Sequence, residues 1–85
     1  MNTRKQMIQD GKRDKAVIDA LIPKLNHYLS LGMLVTCNGV RILKVRAMQT
    51  YIGAVPFEKN THRKFIMCSP YADFRAGDQQ TLINR

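Results

Sequence analysis

The stretch LVTCNGVRILKV, residues 34–45, decides the fold, because two short apolar runs meet there at Asn38-Gly39. Both residue types tolerate positive φ, and the pair is a strong short-range signal for a two-residue β-hairpin turn. Such a turn places Cys37 opposite Val40 across the hairpin. The stretch therefore predicts an antiparallel hairpin with one apolar side.

The second strand of this hairpin breaks the expected alternation. Strict period two would place Ile42, Lys44 and Arg46 on the apolar side, where unpaired charges are costly to bury. A β-bulge at Leu43-Lys44 restores the alternation. The side opposite the apolar residues then holds three cations: Arg41, Lys44 and Arg46. The alternative is that the strand ends at Leu43 and a loop follows.

Residues 14–31 have the periodicity of an amphipathic helix. Apolar residues recur there at intervals of three and four: Ile18, Leu21, Ile22, Leu25 and Leu29. Asp14 can cap the first turn, and Gly32 can supply the left-handed residue that ends the helix. Pro23 predicts a kink or a restart, since an interior proline removes a backbone donor. Residues 1–13 are polar and basic, which predicts an arm or a frayed first turn.

Two further strands are predicted after the hairpin. Residues 48–57 read as a third strand, bent at Gly53 and ending near Pro56, and residues 65–68 read as a fourth strand. The tail, residues 69–85, predicts a short turn or an edge strand around Tyr71–Phe74.

The fold prediction is a single α+β domain over residues 1–85. An N-terminal amphipathic helix packs on a small, strongly bent antiparallel sheet of four or five strands, spanning residues 33–68.

The charge of the chain indicates a polyanionic partner. Fourteen Lys and Arg against six Asp and Glu give a net charge of +8. Between Asp19 and Glu58 there is no acidic residue, so the middle of the chain should carry the positive potential. Such an excess is typical of nucleic-acid-binding proteins. The alternative is that the lysines serve only solubility.

The sequence gives no clear signal for export, for a membrane span, for a metal site or for catalysis. The charged N-terminus and the absence of a long apolar run predict a cytoplasmic protein without a membrane partner. In that reducing compartment, Cys37 and Cys68 are expected to be buried thiols. No two residues among His27, His62 and the cysteines have the close spacing of a zinc site. We therefore expect no metal, no cofactor and no enzymatic activity.

The candidate nucleic-acid-binding residues combine cations with an aromatic ring. Single strands are held by such surfaces, because cations contact phosphates and rings stack on bases. Tyr28, Tyr51 and Tyr71 are the available tyrosines, although tyrosines on strands more often pack in the core. His62 lies in the cationic segment EKNTHRK, residues 58–64, which suits phosphate contact. The predicted set is Arg41, Lys44, Arg46, Tyr51, Lys59, His62, Arg63 and Lys64.

Three segments carry a resemblance to a known family: IPKLNHYL (22–29), LVTCNGVRI (34–42) and MQTYI (48–52). Over roughly residues 17–74 the chain resembles the bacterial Sm-like RNA chaperones of the Hfq family. The resemblance implies a helix capping a strongly bent five-stranded Sm/SH3-like barrel. It also implies assembly as a ring that binds RNA on its faces.

Carried over by position, the resemblance makes Arg41 a basic residue of the distal face and Tyr51 an aromatic residue that stacks a base around the pore. The chain departs from the family at other positions. Val35 stands where the family has a tyrosine, Gln49 replaces an aspartate, and residues 65–70 lack the family's Lys-His pair.

Two functions are predicted. The first is a non-enzymatic, regulatory module that binds RNA or single-stranded DNA. The alternative is a small adaptor or inhibitor of phage or plasmid type that binds a host protein, and an exposed apolar patch beside the cations would favour it. Because small domains are often completed by association, we also expect a homo-oligomer.

Overall fold

The computed structural model describes residues 4–58 and 64–84. One helix and six strands follow each other along the chain: α1 Arg4–Ser30, β1 Val35–Cys37, β2 Val40–Ala47, β3 Ile52–Pro56, β4 Ile66–Cys68, β5 Phe74–Ala76 and β6 Thr81–Leu82. The strands form one antiparallel sheet in the order β4-β3-β2-β1-β5-β6. The α+β prediction is confirmed, but the predicted four or five strands are wrong.

Helix α1 begins at Arg4 and is longer than predicted. The residues before position 14 are mainly Arg, Lys, Gln and Met, which are good helix formers, so the helix extends through Gly11. The predicted cap at Asp14 is wrong, because this residue lies inside the helix. Helix α1 also continues through Pro23 without a restart. Pro23 is exposed, so water can reach the carbonyl group that lacks its donor.

Gly32 ends the helix as predicted, with a φ of +73°. Its N–H donates to the carbonyl of Leu29 at 3.0 Å, and the N–H of Met33 donates to the carbonyl of Tyr28 at 3.1 Å. This pair of bonds is the Schellman arrangement, in which a left-handed glycine satisfies the last carbonyl groups of a helix.

The predicted apolar stripe of α1 packs into the core. Ile18, Leu21 and Leu25 are buried, and Ile22 and Leu29 are partly buried against them. The sheet supplies the other side of this core, mainly through these buried residues: Val35, Cys37, Ile42, Ile52, Ala54, Cys68, Phe74 and Ala76.

The predicted hairpin between β1 and β2 is confirmed. Its turn residues Asn38 and Gly39 have φ values of +49° and +82°, and Cys37 pairs with Val40. The turn is also tied to the segment before β5: the Asn38 N–H donates to the Asp73 carbonyl at 2.9 Å, and Asn38 Oδ1 accepts from the Asp73 N–H at 3.0 Å. The hairpin is thereby fixed to a part of the chain far from it in sequence.

The predicted bulge in β2 is also confirmed. Ile42 pairs with Pro56 and Lys44 pairs with Val55, so Leu43 is the extra residue. A bulge bends its strand and shifts the side-chain alternation by one position. Strand β2 therefore continues past Leu43, and the alternative of a loop is excluded.

The tail of the chain contributes two strands, which corrects the prediction of a turn or an edge strand. Strand β5 pairs with β1, and Phe74 at its start is fully buried. Strand β6 returns beside β5 through a turn in which Gly77 and Gln80 have positive φ. Strands of three and two residues are too short to show an alternation in the sequence.

The bulge bends strand β2 locally. Cys37 on β1 and Cys68 on β4 are both buried in the core, although three strand spacings separate these two strands in the sheet. The predicted strong bend of the whole sheet stays a prediction. Among the described residues no pairing joins β4 to β6, so the sheet ends at these two strands and does not close as a barrel.

Candidate nucleic-acid interface

The cations of β2 share the side of the sheet that faces away from the core. Lys44 pairs with Val55 and Arg46 pairs with Gly53, whereas Val45 pairs with the buried Ala54. All three predicted cations, Arg41, Lys44 and Arg46, are exposed. The predicted placement of these residues on one face is therefore confirmed.

Large apolar side chains lie on the same outward side, and the sequence reasoning missed them. Four of them are exposed to between 37% and 68%: Val55, Phe57, Phe65 and Met67. We call the outward side of β2, β3 and β4 that carries these residues and the three cations the mixed face. Val55 and Phe57 follow Gly53 at intervals of two, so the alternation along β3 predicts that they share its outward side.

At one end of the mixed face, Arg41 stacks on Phe57. The guanidinium carbon lies 4.0 Å from the ring centre. The backbone fixes the pair as well, because the Phe57 N–H donates to the Arg41 carbonyl at 2.8 Å. A guanidinium over an aromatic face is a cation–π contact worth about 0.5–1 kcal/mol at an exposed site.

At the other end lies a slot with a volume of about 230 Å³. We call it the aromatic slot, and its lining includes Arg46, Met48, Tyr51, Gly53, Val55 and Phe65. Gly53 contributes only backbone to the lining, and a methyl group added there would lie in ordinary contact, 3.7 Å from Met48 Cγ. Pockets for drug-sized ligands measure roughly 300–1,000 Å³, so the slot suits one flat ring system better than a whole cofactor.

Tyr51 lies in a turn and not in a strand. The predicted third strand starts at Ile52, later than expected, because the Met48 N–H donates to the Tyr51 carbonyl at 3.0 Å and closes a turn. Tyr51 is half-buried and lines the aromatic slot. It is therefore the tyrosine that the fold brings to the mixed face.

The other two tyrosines lie elsewhere. Tyr28 packs partly buried against the core. Tyr71 is exposed and donates from its hydroxyl to Asp14 Oδ1 at 2.8 Å. This hydrogen bond raises the pKa of Tyr71 above its ordinary value. The contact joins the C-terminal part of the chain to helix α1.

The remaining predicted cations follow β3. Lys64 is exposed and lines a shallow groove with the first residues of the β4 segment, including Phe65 and Met67. Lys59, His62 and Arg63 lie outside the described residues, so their predicted role stays a prediction.

The thiols are buried, as predicted. Cys37 and Cys68 are both free and lie in the core. Their mutual hydrogen bond, together with burial, raises the pKa of Cys37 above its ordinary value, and the same hydrogen bond lowers the pKa of Cys68. Because its pKa is raised, Cys37 stays protonated at neutral pH and is a poor nucleophile.

Two further observations concern the described residues only. No group of three or more His, Cys, Asp or Glu side chains among them is placed to hold a metal ion. The helix they contain is not apolar enough over the required length to cross a membrane.

Comparisons with family models, with curated proteins and with solved structures find no match to this chain. The resemblance to the Sm-like RNA chaperones therefore stays a prediction, as does self-association.

Proposed function

We propose that this protein is a non-enzymatic, regulatory module that binds single-stranded RNA or DNA on the mixed face. The observation that carries the proposal is the presence of three cations and two exposed phenylalanine rings on one side of the sheet. Phosphates and bases alternate along a single strand, so a surface that binds it needs both kinds of group close together.

The cations supply the sequence-independent part of the binding. Lys44 and Arg46 form no ion pair within the described residues, so their charges are available to phosphates. The carboxylate nearest in sequence is Glu58, which is exposed beyond the end of β3. Three phosphate contacts predict a salt dependence of affinity with a slope of about −2 for a single strand.

The rings supply a contact that a duplex cannot make. Phe65 is 56% exposed and lines the aromatic slot, where an unpaired base can stack. Stacking of one base on an aromatic ring contributes about 1–3 kcal/mol. Bases in a duplex are already stacked on each other, so the protein should prefer single strands.

The test is fluorescence anisotropy with labelled oligouridylate, oligothymidylate and a duplex DNA of equal length, each at two salt concentrations. We expect at least one single strand to bind more tightly than the duplex, with an affinity that falls steeply as salt is added. If no oligonucleotide binds at low salt, the proposal is wrong.

A second function is favoured by the aliphatic residues of the mixed face. Val55 and Met67 are 37% and 68% exposed, and such residues are typical of the desolvated centre of a protein interface. An adaptor or inhibitor that binds a host protein would use them. One stoichiometric protein partner that co-purifies through nuclease treatment and high salt would support this function over the first.

A further inference from the structure

A second cavity adjoins the aromatic slot on the side of helix α1. It is an open groove between the helix and the connection from β2 to β3, with a volume of about 630 Å³. The helix contributes residues between Gly11 and Asp19, the end of β2 contributes Arg46 and Ala47, and the connection contributes residues 48–50. We call this cavity the helix groove.

The helix groove carries a net positive charge. Lys12, Lys15 and Asp19 follow each other at intervals of three and four, so they lie on one side of α1. Arg46 adds a third cation from the sheet, which leaves one carboxylate against three cations. Lys12 and Lys15 are exposed and form no ion pair within the described residues.

Arg46 and Met48 line both cavities. On one side of these two residues lies a slot lined by rings, and on the other lies an open cationic groove. A nucleotide has the same two parts, a flat base and a charged phosphate. The two cavities are therefore complementary to a base and to the phosphates next to it.

We propose that a single strand bound on the mixed face continues past Arg46 into the helix groove, where Lys12 and Lys15 contact its phosphates. This inference rests on the proposed function, and it extends the binding surface from the sheet to the helix. Asp19 lies in the same groove and repels the strand, so it limits the affinity there.

The test compares Lys15→Ala with Lys24→Ala. Both residues are exposed lysines of α1, but only Lys15 lines the helix groove. The probe is a labelled oligouridylate or oligothymidylate of roughly 16 nucleotides, at the upper end of the site sizes of small single-strand-binding domains. Circular dichroism checks that each variant keeps its helix.

We expect Lys15→Ala to raise Kd about two- to fivefold at low salt and to reduce the salt slope by about one unit. Lys24→Ala should leave both nearly unchanged. Asp19→Asn should lower Kd, because it removes the carboxylate that opposes the phosphates.

Two results would overturn the inference in distinguishable ways. If Lys15→Ala binds like the wild type while Lys44→Ala binds more weakly, the strand stays on the sheet and only the extension into the helix groove is wrong. If the wild type binds neither oligonucleotide, the proposed function fails together with this inference.

Discussion

The guanidinium carbon of Arg41 lies 4.0 Å from the centre of the Phe57 ring, and the Phe57 N–H donates to the Arg41 carbonyl. The pair joins the start of β2 to the residue that follows β3. It holds a flat cation against a flat ring on the exposed side of the sheet. Bases stack on arginine planes as well as on aromatic rings, so the pair offers a surface for an unpaired base.

The first prediction concerns the shape of this cation. Arg41→Ala should weaken oligonucleotide binding and reduce the salt slope by about one unit, because it removes a phosphate contact. Arg41→Lys keeps the charge but not the plane, so it should keep the salt slope and lose part of the affinity. Anisotropy titrations at two salt concentrations measure both quantities. Equal affinities for Arg41→Ala and the wild type would remove Arg41 from the interface.

The second prediction separates stacking from charge. Phe65→Ala should raise Kd by roughly 5- to 150-fold, which corresponds to the loss of about 1–3 kcal/mol from one stacked base. The salt slope should stay the same, since no charge is removed. Leu31→Ala is the control for truncation of an exposed apolar side chain, because Leu31 is 60% exposed and follows α1, outside the mixed face. Similar losses for both variants would mean that the ring of Phe65 has no specific role.

The third prediction tests the hairpin turn. Asn38→Ala should lower the free energy of unfolding by about 2–4 kcal/mol, since it strains a left-handed residue and removes the hydrogen bond to the Asp73 N–H. Asn38→Gly removes the hydrogen bond without the strain, so the loss should be about 1 kcal/mol. Urea denaturation measures both. A larger loss for Asn38→Gly than for Asn38→Ala would contradict this account of the turn.

The fourth prediction is a pH dependence. The hydrogen bond between the two thiols raises the pKa of Cys37 and lowers that of Cys68, whereas burial acts to raise the pKa of both. Because burial opposes the ionisation of either thiol, the folded pair keeps a proton that the unfolded chain releases above the ordinary value of 9.0. The stability from this group is therefore complete below that pH and decreases as the pH rises further. Denaturation at pH 8 and pH 10 should show this decrease. Cys37→Ala is the control for other groups that titrate there, and its decrease should be smaller than that of the wild type.

The hairpin and the bulge could be predicted from the sequence because each leaves a local mark. Asn38-Gly39 fixes the turn, and the conflict between Ile42 and Lys44 requires an extra residue in the strand. The helix start could not be predicted, because residues 4–13 have helix-forming side chains but no apolar stripe. The short strand β5 depends on pairing with β1, which is a contact between distant parts of the chain, and β6 in turn pairs with β5.

The cations of the candidate interface could be predicted, but its rings could not. Arg41, Lys44 and Arg46 are sequence neighbours on one strand, so the bulge alone places them together. Phe57 and Phe65 come from other segments of the chain and look like core residues in the sequence. Their exposure follows from the fold, because only the inner side of the sheet packs against α1 to form the core, and both rings lie on the outer side.

The most direct test of the central claim is Lys44→Ala, measured for both oligonucleotide affinity and stability. Lys44 lies on the exposed mixed face opposite Val55, so its truncation should change the free energy of unfolding by less than about 0.5 kcal/mol. Affinity for the single strand should fall severalfold, and the salt slope should decrease by about one unit. Unchanged affinity together with a large loss of stability would contradict the account.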